Sequence, residues 1–141
     1  MKLVFWIFSL LSMASFANPP VEGTLLIKVE NIKVNQGKIM LAIYSDDLEF
    51  LSETTYRSIH HEVNELGTTM VKITDLPYGN YAISIYHDEN NNGKLDTNFM
   101  KIPKEPYGFS NNARGMFGPP KVNEAKFSFS TMEQEIKIEI K

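Results

Sequence analysis

The sequence predicts an all-β protein, an antiparallel β-sandwich of about seven short strands of immunoglobulin-like or transthyretin-like type. Two observations carry that prediction. Apolar residues recur at every second position in short runs bounded by Gly, Pro, Asn and Asp, the period of a half-buried strand. After the N-terminal stretch no segment sustains the 3.6-residue period of an amphipathic helix. The bulk numbers agree, since 141 residues hold one domain and 43% apolar with 22% charged residues is an ordinary globular composition.

The chain opens with Met1-Lys2, an apolar run from Leu3 to Met13, and then Ala14-Ser15-Phe16-Ala17. A positive start, an apolar core too short to span a bilayer and small residues at 15 and 17 describe a secretory signal peptide over residues 1–17. An uncleaved anchor is the alternative. Residues 18–141 then form one sandwich domain in the periplasm or outside the cell, with no transmembrane segment left after cleavage. Losing Lys2 leaves 17 acidic residues against 13 basic ones, so the basic face that nucleic-acid binding needs is missing. There is no cysteine, which excludes disulfides and the lipid-bearing cysteine of a bacterial lipoprotein.

From Gly23 the pattern alternates, with Leu25, Ile27 and Val29 on one face, and after the turn Asn35-Gln36-Gly37 it resumes with Ile39, Leu41 and Ile43. These two strands are expected to pair as a hairpin. Residues 45–54 break the alternation and read as a connection with a helical turn capped by Ser45 or Asp46. Arg57 to Val63 reads as a polar edge strand and Thr68 to Thr74 as another, with Val71 and Ile73 inward. Asp75-Leu76-Pro77-Tyr78-Gly79 is a turn in which Gly79 is free to take a positive φ. Tyr81, Ile83, Ile85 and His87 then share the core face of a strand. Residues 97–124 have no period, and two further strands follow, around Phe127 and Phe129 and around Ile136, Ile138 and Ile140.

One stretch carries chemistry. Asp88-x-Asn90-x-Asn92-Gly93-Lys94-Leu95-Asp96 matches the first nine positions of a calcium loop. Oxygens at alternate positions converge on one hard cation, Gly93 permits the sharp bend, the Lys94 carbonyl adds a ligand and Asp96 binds directly or through water. The pattern departs from a helix-loop-helix site at its twelfth position, where Phe99 stands in place of a bidentate Glu, and a strand enters the loop. The missing ligand would come from Glu105, Asp75 or water. With two carboxylates and two amides the affinity expected for calcium is on the order of 10⁻⁴ to 10⁻³ M. The competing reading is a metal-free turn in which Asn and Gly accept positive φ.

The long segment from Phe99 to Lys121 is the second place where function can live. Tyr107, Phe109, Asn111, Asn112, Arg114 and Phe117 mix rings, amides and one guanidinium, suited to gripping a carbohydrate, a peptide or an envelope protein. The plainer reading is that Phe99, Tyr107, Phe109 and Phe117 cap an open end of the sandwich. Among the histidines, His60 and His61 are neighbours that a strand sends to opposite faces. His87 beside Asp88 would be the base of a hydrolase, the alternative to a non-catalytic module, but no Gly-x-Ser-x-Gly elbow supplies a nucleophile.

Asp75-Leu-Pro-Tyr-Gly-Asn-Tyr-Ala82, His87-Asp88-Glu-Asn-x-Asn-Gly-Lys-Leu-Asp96, Ile102-Pro-x-Glu105 and Tyr107-Gly-Phe-Ser-Asn-Asn112 together resemble the bacterial exported family catalogued as domain of unknown function 2141. The likeness spans nearly all of the chain beyond the signal peptide. It implies a single exported β-sandwich and no assigned activity. Lys101 departs from the Gly expected before Ile102-Pro103 in relatives. The sequence thus points to an exported, non-catalytic binding or accessory module with a calcium-supported loop, its ligand and oligomeric state open.

Overall fold

The alternation does decide which side of each strand is buried. In the computed structural model, which describes residues 21–141, Leu25, Ile27 and Val29 face Ile39, Leu41 and Ile43 across a core completed by Val71, Ile73, Ile83, Ile85, Phe129 and Ile138, all buried. The proposed signal peptide lies outside the described residues.

Two sheets enclose that core. One contains β1 (Glu22–Ile32), β4 (Gly67–Pro77) and β8 (Glu133–Glu139), in the order β4-β1-β8. The other contains β2 (Lys38–Ser45), β3 (Arg57–Glu62), β5 (Gly79–Asp88), β6 (Tyr107–Phe109) and β7 (Phe127–Phe129). Its order is β3-β2-β5, with β6 and β7 sharing the outer edge of β5. This is the all-β sandwich that the alternation predicts, with the three-residue β6 as an added strand. One pair, β1 with β8, runs parallel. Among the described residues a single four-residue α-helix, Val122–Ala125, lies in the segment before β7.

The expected hairpin between β1 and β2 does not form. Each strand has partners on both edges within its own sheet, β4 and β8 for β1, β3 and β5 for β2, so the two meet face to face across the core instead of side by side. Asn31, at φ 73, bends the end of β1, and its side-chain amide donates to the Ile140 carbonyl at 2.7 Å. The turn before β5 also differs from expectation. Asp75, not Gly79, takes the positive φ, of 55. It sits in a bulge where Leu25 pairs with Ile73 but Gly23 pairs with Leu76, so β4 runs on to Pro77. The 45–54 connection holds a turn in which the Leu48 N–H reaches the Ser45 carbonyl at 3.0 Å, without a helix.

Both flanks of the sandwich are tied. On one, Arg57 of β3 donates to the Thr74 and Asp75 carbonyls of β4, and His61 meets the Thr69 hydroxyl at 2.9 Å. On the other, Tyr107 and Lys141 exchange two backbone hydrogen bonds of 3.1 Å, linking β6 to the residues after β8.

Candidate functional site

Strand β5 delivers Asp88 to the end of the core, where its carboxylate is 1% exposed. One oxygen accepts the N–H of Asn92 at 3.0 Å and the other that of Gly93 at 2.8 Å. The Asn90 side-chain oxygen Oδ1 also accepts the Asn92 N–H, at 3.1 Å, and the Asn92 Oδ1 accepts that of Lys94 at 2.8 Å. Asn91 at φ 59 and Gly93 at φ 76 supply the left-handed turns that let these short side chains fold back onto their own backbone. The side-chain amides of Asn90 and Asn92 both donate to the Asp96 carboxylate, at 2.6 Å and at 3.0 and 3.1 Å. Asp88, Asn90, Asn92 and Asp96 therefore form one hydrogen-bonded network.

Three contacts from outside the loop hold it. Glu105, 6% exposed, accepts the Glu89 N–H at 3.1 Å with one oxygen and the Asp96 N–H at 2.9 Å with the other, pinning the loop's entry and exit together. Gly37, at φ 81, packs against the loop entry so closely that a Cβ there would lie 2.1 Å from the Asp88 carbonyl oxygen. His87 is fully buried, with Nε2 2.7 Å from the Gln36 carbonyl and Nδ1 without a hydrogen-bond partner, 3.8 Å from Glu89. Burial raises the Tyr86 phenol above its usual pKa, and the nearby Asp88 and Glu105 charges add to the effect.

These residues suit a hard cation in part. Each Asp88 oxygen and each Asn carbonyl oxygen has a second lone pair beyond the N–H it accepts. Asp96, with Asn90 and Asn92 turned toward it, would exchange those amide hydrogen bonds for an ion. Among the described residues no three His, Asp or Glu side chains converge as a metal-binding group, so a cation here depends on amide and carbonyl oxygens as well. Of the two candidates for a last ligand, Asp75 stands at the opposite end of β5 and is excluded by position. Glu105 is adjacent, with both oxygens engaged by backbone N–H groups. Its role as a clamp escaped the sequence reading, because its partners lie 16 and 9 positions away and no local pattern announces them.

The residues of the 99–121 segment divide. Phe109 is buried with Ala82, Ala113 and Ala125, and Tyr107 packs against it, its ring 5.9 Å away edge to face. Asn111 donates to the Glu124 and Lys126 carbonyls, Asn112 accepts the Glu139 N–H at 2.8 Å and Arg114 donates to the Glu139 carbonyl at 3.2 Å. These tether the segment to the sandwich. The capping reading holds for Tyr107 and Phe109 but not for Phe99 and Phe117, which are 94% and 98% exposed.

The family model described as an uncharacterized protein conserved in bacteria, domain of unknown function 2141, matches residues 27–137. The chain belongs to this family. The match in this domain-of-unknown-function-2141 protein runs from within β1 into β8, so it takes in both sheets, the Asp88–Asp96 loop and the Glu105 clamp. Comparison with curated proteins and with solved structures found no match.

Proposed function

We propose that the protein is an exported, non-catalytic binding or accessory module whose Asp88–Asp96 loop takes a calcium ion. The observation that supports this reading is the network itself. Oxygen-bearing side chains at the first, third, fifth and ninth positions are folded toward one another from a buried Asp88, and a clamp outside the loop holds both its ends. Calcium would supply charge neutralisation among these groups, and the loop would hold the start of the 97–121 segment against the sandwich. His87 is fully buried with its ring on a backbone carbonyl, which suits it to positioning the loop more than to meeting a substrate.

The thermal midpoint in millimolar calcium against chelator tests the proposal. An increase is expected for the parent protein, and its loss in Asp88→Asn and Asp96→Asn. An unchanged midpoint in the parent protein would remove the calcium reading.

A further inference from the structure

Phe99 and Phe117, at 94% and 98% exposure, are the most exposed large apolar side chains among the described residues. They belong to two loops on either side of one groove of about 360 Å³ on the outer face of β5 and β6. Tyr86 and Tyr107 are among its lining, with Lys101 and Pro103 from one loop and Gly118 and Pro119 from the other. The first loop is a closed hairpin. Thr97 bridges Pro103, the Asn98 N–H reaches the Ile102 carbonyl at 2.9 Å, and the Asn98 side chain accepts the N–H groups of Met100 and Ile102. With its backbone satisfied internally, this tip holds Phe99, Met100 and Ile102 in water at 94%, 65% and 52% exposure. Across the groove Met116 is 88% exposed beside Phe117.

Charge says what such tips would meet. From Asp96 to Glu124 the cations are Lys101, Lys104, Arg114 and Lys121; of the carboxylates, Glu105 is buried, Asp96 is held by the Asn90 and Asn92 amides and Glu124 accepts the Lys121 N–H, in a chain whose net charge is −3. Exposed apolar tips with lysines beside them in the chain, on an otherwise acidic protein, complement an interface that is apolar inside and anionic at its rim. A small apolar ligand would instead call for these side chains to line the groove, and they stand outside it.

We infer that the tips at Phe99–Ile102 and Met116–Phe117 insert into an anionic lipid surface, with Lys101, Lys104 and Lys121 meeting the headgroups. This rests on the binding-module reading and names its partner, but does not depend on calcium. The test is co-sedimentation of the domain, residues 18–141, in chelator with vesicles of phosphatidylglycerol in phosphatidylcholine, against phosphatidylcholine alone. Binding to the anionic vesicles that weakens with salt is expected. Phe99→Ser with Phe117→Ser is expected to weaken it about tenfold or more. Lys101→Glu with Lys104→Glu is expected to weaken it and flatten the salt dependence. All four side chains are exposed, so thermal midpoints near the parent's are expected and serve as the folding control. The inference is overturned by absent binding, by equal binding to neutral vesicles, or by a double-serine variant that binds like the parent. It is also overturned by a dimer that the double-serine variant dissolves, which would assign the tips to self-association. Because calcium is absent throughout, failure here leaves the calcium proposal to its own melting test.

Discussion

Lys101 sits at φ 61, in the left-handed region that costs a residue with a Cβ on the order of 1 kcal/mol. The Gly that the family resemblance leads one to expect there is what that backbone favours. Lys101→Gly is predicted to stabilise the domain by about 0.5–1 kcal/mol, read from the denaturant midpoint, and a loss of stability would contradict it. The reverse holds at Gly37, whose φ of 81 and closeness to the Asp88 carbonyl leave no room for a methyl group. Gly37→Ala is predicted to cost about 2 kcal/mol or more in the same measurement. At this scale the Asp88–Asp96 loop was legible, because its bonds join residues two to six positions apart and spacing alone encodes them. Gly37 was readable only as a turn residue, since the carbonyl that excludes a side chain belongs to another strand.

Among the elements, the strands were legible wherever alternation ran long enough to count, and their partners were not. Alternation fixes the buried face of β1 and β2 without saying whether they lie side by side or face to face. Strand β6 is too short to show a period. Its pairing with β5 is continued by the Ser110 hydroxyl, which accepts the Ile83 N–H at 2.9 Å and donates to the Ala125 carbonyl. The loop as an element depends on Glu105. Replacing it with Ala removes a buried carboxylate from two backbone N–H groups, and is predicted to cost about 2–4 kcal/mol. Amide exchange at Glu89 and Asp96 is predicted to accelerate in that variant more than exchange in β1. Equal acceleration everywhere would mean that Glu105 supports the fold at large and not the loop.

For the molecule as a whole, pH reports on burial. Desolvation raises the phenols of Tyr81 and Tyr86 above their ordinary pKa of 10.0. A raised folded-state pKa means that the neutral ring contributes stability below pH 10, and that this is lost as the pH climbs through the folded value. Denaturant midpoints from pH 8 to 11 are predicted to fall, and to fall less steeply in Tyr86→Phe; parallel curves would place the alkaline sensitivity elsewhere. The sandwich class was legible at this scale from period and turn residues, whereas the parallel seat of β8 beside β1 was not. That seat has a further consequence. Asn31 and Ile140, which it brings together, are 109 positions apart. Strand β1 waits for β8 before its sheet can close, so loop-closure entropy places completion of this sheet late in folding and makes it slow. Until β8 is made, β1 has β4 on one edge and an unpaired edge on the other.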